Sequence, residues 1–596
     1  MSLMSQMRNQ LRQTRGALVR FPIPMLFAFA ASILLIVITH RLANTPEAPP
    51  GMFRLYVMTW SSIFGFFLFL LAALLREALT GDVSRRRTLT VMIYTLAVLI
   101  FVGMFVALRV GLSKEQITSD FLSTMMLPTQ LATFYWGILL TVVVACAYVG
   151  CLGHWQDYES YLFAIVRAEV IAFAFANVLF LGIAAIFLAI HLLLGSSVPS
   201  TLYADVAWIA YAPFQAGIFL SLYPMTSGGK EKMPRTLRGL LLYVVTPLLV
   251  AYSAVLYIYF FHMLREGFAP VRFIGQLVLW YGLVLAATLF FLSWEREEPK
   301  NAMVLRLLPW VGVVPLGIFF YCMAHHVDTY GLTVLRYQGI VFGFWNFFAI
   351  LYTIVKRGRD MIVLPIVASL LILLVSVGPL SGYAVSERSQ VHRLEELLAK
   401  NNMLKKGHIV AAKNVPSEDQ RRIVDTLAYL DGHFDVKKIP FLGEDFSFDH
   451  FQEDMGFEVG MTGDEESRAI NWAPYRYPLY IKDFDQAIAL NSYNTDYSKG
   501  STGGFRLVLN SEDRMMSILQ KTKNKKEDTI LLRLSFEEVA KKAQALKEAG
   551  NQSLGDLSYD AKEETVRIRF IVEELYYDPS QPDMFSIGGT LLVQEL

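Results

Sequence analysis

Residues 170–190 read VIAFAFANVLFLGIAAIFLAI, an apolar run without a charged side chain. A stretch of roughly 18 or more such residues is long enough to cross the about 30 Å hydrocarbon core of a bilayer as a helix. Working outward, further apolar stretches recur between Pro22 and Tyr383, separated by short polar loops. The expected spans are 22–40, 53–75, 88–109, 128–151, 160–194, 202–224, 237–262, 271–293, 304–324, 334–355 and 361–381. The fifth, from about Tyr158 to Leu194, is longer than a bilayer needs, which tilt or an extension into solvent accommodates. The fold class is therefore a polytopic α-helical membrane bundle of about 11 transmembrane helices, followed by an α+β soluble domain. Pro247, Pro315 and Pro365 fall inside spans, where a proline frees carbonyls and bends a helix. Bent helices can line cavities, but they are also ordinary in membrane bundles, and the ordinary reading is preferred.

Composition agrees. The chain is 54% hydrophobic, with a mean hydropathy of +0.41. Its formal net charge of +1 hides two opposite halves. Residues 1–383 hold 26 Lys/Arg against 16 Asp/Glu, and residues 384–596 hold 27 against 36. A basic membrane part suits anionic lipid headgroups, and an acidic soluble part argues against nucleic acid. Cys146, Cys151 and Cys322 all lie in apolar segments, so no disulfide is expected in the soluble domain.

Orientation follows from loop charge, because cytoplasmic loops are enriched in Lys and Arg. Arg8, Arg12, Arg15 and Arg20 precede the first span with no small-residue cleavage site, so a retained helix is expected. With that end inside, the inner segments carry 18 Lys/Arg and the outer ones 7, Arg167 counting as intramembrane. Three regions result: a cytoplasmic basic N-terminus (1–21), a transmembrane domain (22–383) and an extracytoplasmic soluble domain (384–596).

In the soluble part, Val391, Leu394, Leu397 and Leu398 at helical spacing predict an amphipathic helix over 386–402. Capping boxes at Ser417–Gln420 and Ser535–Glu538 open two more, the second ending before Gly550. Strands are expected at 478–482, 486–491, 504–510, 528–534, 565–573 and 585–594, and a loop at 498–504.

Two sets of residues are candidates for chemistry. Arg109, His191, Asp205, His262, His325, His326, Asp328 and Arg336 fall near the outer ends of spans, where polar side chains are costly unless paired or hydrated. They could bind an anionic headgroup or sugar-phosphate, or a metal; the plainer reading, which is preferred, is that they mark the membrane–water boundary. Arg167 and Glu169, about two turns into the fifth span, are a candidate intramembrane relay. Two residues apart, they do not face each other, so each needs a partner on another span; a structural interhelical pair, or an entry point still at headgroup level, is the preferred reading over a relay. Asp445, Asp449, His450, Glu453 and Asp454 read as a solvated acidic loop rather than a carboxylate pair. There is no Walker loop, no GxSxG elbow and no HExxH pair. No catalytic residue can be named, and neither metal nor cofactor is expected. The short first outer loop has Glu47 as its only acid, unlike membrane glycosyltransferases that use lipid-linked sugars.

Three stretches carry a resemblance: Arg20-Phe21-Pro22; Tyr243–Leu249 with Tyr252, Leu256 and Tyr257; and Tyr330-Gly-Leu-Thr-Val-Leu-Arg-Tyr337. With Ser389-Gln390 and Arg393-Leu394-Glu395, the chain resembles the bacterial domain-of-unknown-function 4153 family. The resemblance implies a bacterial inner-membrane protein and brings no catalytic residues. In the third stretch Gly331 permits a tight turn and Thr333 can cap the next helix. Arg336, a cation in a first turn, is unfavourable unless something anionic lies near it. Three functions remain open: transport or flipping of an envelope component, a membrane-embedded transferase acting at the outer face, and a non-catalytic scaffold or sensor. The first predicts a membrane-crossing cavity with Arg167 and Glu169, the second a one-sided outer cavity, the third a solid bundle. Expected partners are membrane lipids and envelope proteins or polymers.

Overall fold

The computed structural model describes residues 19–43, 52–79, 86–112, 129–153, 155–194, 198–224, 232–266, 274–405, 407–412, 415–442, 446, 451–457, 470–472, 484–491, 505–510, 514–520, 529–548, 556–563, 566–577 and 585–595. The expected strand at 478–482, the loop at 498–504, the stop at Gly550 and residues Asp445, Asp449 and His450 lie outside them. The chain divides into two compact units, Met1–Phe457 and Glu458–Leu596.

The first unit is helical. Its elements are α1 (Pro22–Ala43), α2 (Met52–Leu79), α3 (Arg86–Gly111), α4 (Thr129–Val149) and α5 (Tyr158–Leu194). Then come α6 (Ser200–Ile209), a π-helical turn (Ala210–Phe214) and α7 (Gln215–Leu222). A second π-helical turn (Leu241–Val245) joins α8 (Arg235–Leu240) to α9 (Thr246–Glu266). The bundle ends with α10 (Ile274–Ser293), α11 (Pro299–Tyr330), α12 (Val334–Lys356) and α13 (Val363–Ser376). Among the described residues, ten helices are long and apolar enough to cross a membrane. A helix satisfies all its backbone groups internally, which is why the apolar segments take this form. α5 is one continuous helix of 37 residues, about 55 Å.

The helices alternate between two faces. Arg20, before α1, bonds Glu77 at the end of α2 and the Tyr223 and Pro224 carbonyls after α7. Glu159, opening α5, accepts from Ser293 at the end of α10, and Glu295 accepts from the Met233 N–H before α8. These ends share one face. On the other, His40 near the end of α1 meets Asp205 in α6 at 2.8 Å.

The eleventh span departs from expectation. α13 has 14 residues, about 21 Å, too short to cross alone. A left-handed Gly378 (φ 77°) and a 3₁₀ turn over Gly378–Leu380 extend it. There the Leu380 carbonyl accepts from Tyr337 Oη, in the first turn of α12. Residues 361–380 therefore retrace α12 from one face to the other. Pro365 sits in the first turn of α13, where no N–H is needed, rather than bending a helix interior. Pro315 and Pro309 lie inside α11, which continues through both.

Beyond the bundle, α14 (Gly382–Lys400), β1 (Leu404–Lys405), β2 (His408–Ile409), α15 (Ser417–His433) and α16 (Phe451–Met455) share an apolar core around Leu394, Leu398, Ile423 and Leu427. Ser417 is the first helical residue and not the cap: Pro416 holds the cap position and its carbonyl takes the Gln420 N–H. Lys400 and Asn401 both donate to the buried Asp419 carboxylate, holding it below the usual carboxylate range and tying α14 to α15.

The second unit is antiparallel. β5 (Phe505–Asn510), β6 (Met515–Gln520) and β7 (Thr529–Ser535) form a meander, and β7 leads into α17 (Phe536–Glu548). The Glu538 N–H bonds Ser535 Oγ, so that cap is made as expected. β4 (Gln486–Asn491), β10 (Phe585–Glu595) and β9 (Val566–Tyr577) pair in that order; β3 (Ile470–Trp472) and β8 (Ser558–Lys562) share the far edge of β9. In β9 the side chains alternate with period two: Val566, Ile568 and Phe570 are buried, and Arg569 lies on the other side, paired to Asp560. β3, β6 and β8 were not expected.

The Arg20 fork is the tie most exposed to test. Both side chains are largely buried, at 17% and 23% exposure. Arg20→Ala leaves Glu77 and two carbonyls unpaired and should cost about 2–4 kcal/mol. The expected outcome is a lower thermal midpoint in detergent, only partly restored by Lys, which cannot make the fork.

Candidate functional site

α5 presents Ala168, Ala172 and Ala176 inward, all buried, and these small residues let it approach the α6–α7 segment closely. A π turn carries one residue more than the α-helix it interrupts, and such turns are frequent at functional sites. Here Pro213 lies inside the turn and removes one N–H from the ladder. Tyr211, within the turn, donates from Oη to Asn177 Oδ1 at 3.0 Å. Gln215, just after it, donates from Nε2 to Glu169 Oε1 at 2.5 Å. Two hydrogen bonds to α5 thus flank Pro213.

Below these bonds lies a cavity of about 630 Å³ between α1, α2, α4, α5 and α7. Phe27, Phe66, Phe67, Ile165 and Phe219 supply apolar walls, and Tyr223 stands at the Arg20 end. Among the described residues of the lining, Glu169 is the only charged one. Val166 and Val170, on either side of it, are 45% and 62% exposed, so the cavity reaches the outside of the bundle beside that carboxylate. Glu169 lies eleven residues into α5, about 16 Å along its axis. It falls inside the apolar length of a helix expected to cross the bilayer. A carboxylate there is expensive and marks a functional position by default. The volume falls within the range of small-ligand sites, about 300–1,000 Å³.

The expected relay pair separates as its spacing requires. Glu169 meets Gln215, whereas the Arg167 guanidinium lies 6.0 Å from the Phe163 ring. Arg167 does not line the cavity. The void occupies the half of the bundle nearer Arg20, so the membrane-crossing cavity with Arg167 and Glu169 that the transport reading predicts is not what this void forms: it is one-sided and takes in Glu169 alone of the pair.

The outer-face set is distributed over several interfaces. Arg109 lies near the end of α3, His191 in the last turn of α5 and His262 near the end of α9, all exposed. Asp205 meets His40, beside a Trp208 Nε1 to Thr39 Oγ1 bond of 3.0 Å. The others gather at the α11–α12 turn, with the His325 and His326 ring centroids 6.3 Å apart. Among the described residues, no three His, Cys, Asp or Glu side chains come together as a metal site would need.

That turn shows what Arg336 meets. Its guanidinium bonds the Gly331 and Tyr330 carbonyls at 3.0 and 3.4 Å and lies 5.2 Å from the Tyr330 ring. The negative end of α11 therefore faces this cation. Thr333 holds the cap position of α12 but makes no side-chain cap bond. Instead the Val334 N–H bonds Tyr429 Oη of α15 at 3.0 Å, and that hydroxyl also meets Ser386 of α14. The Asp328 carbonyl accepts from Arg393, and the Tyr330 carbonyl from Gln390. Gly331 (φ 72°) has no room for a side chain, since a Cβ would lie 2.6 Å from Gln390 Nε2.

Sequence reasoning missed His40, Asn177, Tyr211, Gln215, Glu77 and Tyr429. Pro213 was the available signal for the cavity, a proline within a span beside polar Tyr211 and Gln215. A family profile described as "Domain of unknown function (DUF4153)" matches residues 30–417. No curated protein and no solved structure matches the chain.

Tyr429→Phe keeps the ring but removes the acceptor for the α12 N–H. Hydrogen exchange at Val334 and in the first turn of α12 should quicken, with about 1–2 kcal/mol of local stability lost. Unchanged protection there would show that the cap is dispensable.

Proposed function

The chain belongs to the family of the domain of unknown function DUF4153, and from that premise we propose that it moves an amphiphilic component of the bacterial envelope. It is an integral membrane protein, and the half-depth cavity open beside α5 carries the reading. An apolar void that reaches lipid laterally admits an acyl chain without exposing it to water. A single polar group at the mouth then orients the head. The π turn at Pro213 supplies a bistable joint between α6 and α7, the kind of element that conformational switching uses. A transferase would need an acid and a base around a reacting atom, and among the described residues the cavity lining holds Glu169 as its only carboxylate and no His. A solid scaffold would need no cavity.

In this reading the protein lies in the inner membrane of a bacterium, with the Arg20 face cytoplasmic and the second unit extracytoplasmic. Support comes from the loop charges and from residues 361–380, which bring the chain to the face opposite Arg20. Its partners are membrane lipids, together with envelope proteins or polymers met by the second unit. Cysteine reporters attached after Leu596 should react with a membrane-impermeant maleimide in intact spheroplasts. Labelling only after lysis overturns the orientation.

Ala216 lines the cavity, and Ala216→Trp should fill it. In proteoliposomes, the wild type should speed exchange of a fluorescent single-chain lipid between leaflets, and the filled variant should lose at least tenfold in rate while keeping its thermal midpoint. Equal rates would remove the cavity from the function.

A further inference from the structure

We propose that the cavity selects an amphiphile whose head is a single protonated amine, and that Glu169 is the residue that selects it. The inference rests on the amphiphile reading and names the head. Its basis is charge. The Glu169 carboxylate lies within the apolar length of α5, between Val166 and Val170, and among the described residues its hydrogen bond comes from a neutral amide, Gln215 Nε2. An amide donor satisfies a lone pair but leaves the negative charge uncompensated. Arg167, the cation nearest in sequence, sits on another side of the helix over Phe163 and outside the lining.

The mouth contains acceptors to hold an ammonium group: the second carboxylate oxygen of Glu169 and the side-chain carbonyl of Gln215. An ammonium has three donors and no acceptor, so it satisfies both oxygens and neutralises the carboxylate in one step. The chain attached to it would run past Ile165 and Phe219 toward Tyr223. An anionic head is disfavoured on the same ground, since like charges repel strongly in a medium of low dielectric.

The competing way to neutralise Glu169 is a proton, and the experiment separates the two. The full chain in nanodiscs of uncharged lipid is titrated with dodecylamine, dodecanol and dodecanoate, with ethylamine testing the head alone. Displacement of a fluorescent fatty probe reads occupancy. The wild type should bind dodecylamine at least tenfold more tightly than dodecanol, dodecanoate most weakly, and ethylamine not measurably. Glu169→Gln, which keeps size and hydrogen bonding, should bring dodecylamine and dodecanol within twofold of each other, and Glu169→Asp should keep part of the preference. Ala216→Trp should weaken all three chains together.

Equal binding of amine and alcohol by the wild type, lost in Ala216→Trp, overturns the head selection while leaving the amphiphile cavity standing; it assigns the carboxylate to a proton. A preference that survives Glu169→Gln also overturns the assignment. No chain-dependent binding at all overturns both readings.

Discussion

One guanidinium joins three helices of the bundle. Arg20 makes a two-pronged bond to Glu77 and reaches the Tyr223 and Pro224 carbonyls, so the start of α1 and the ends of α2 and α7 meet at one point. Two parallel charge-assisted bonds fix direction as well as distance. They also satisfy two carbonyls that the end of α7 leaves without intrahelical partners. These three helices form much of the cavity wall. Tyr223, whose hydroxyl bonds the Cys146 carbonyl of α4, extends the joint to a fourth.

Further along α6 and α7 the helix is irregular. The π turn interrupts regular helix there, and two side-chain bonds to α5 flank its proline. A bond to a carboxylate responds to whatever neutralises that carboxylate, whereas the tyrosine–asparagine bond does not. Glu169 and Gln215 thereby join the cavity lining directly to α7.

The face opposite Arg20 serves packing. The turn from Tyr330 to Tyr337 is where α14 and α15 attach to the bundle, through Tyr429, Gln390, Arg393 and the compact Gly331. Polar residues crowd there because the last carbonyls of α11 and the first N–H groups of α12 need partners as the chain turns. Arg336 belongs to this set. It is a cation in the first turn of one helix that is stabilised by the carbonyl end of another.

Much of this was legible from residues alone. Hydropathy located the spans, since bilayer thickness dictates their length. Period-two alternation located β9 and β10, and Ser535 announced the start of α17. The short strands β3 and β8 escaped because a few residues carry too little period to register; β6 is as long as β4 and β5 and was simply not expected. The eleventh span was expected as one helix but is a 14-residue helix and a 3₁₀ turn, because hydropathy counts apolar residues and does not see Gly378 turn left-handed. The cavity itself was not legible. Glu169 stood out as a charge in a greasy helix, but its partner lies 46 positions away and Arg20's lies 57 away. The sequence by itself determined that this protein lives in a membrane and where its helices run, because that depends on local composition. Only the tertiary structure decided which polar side chains meet and where space remains, because such pairings depend on how distant helices pack.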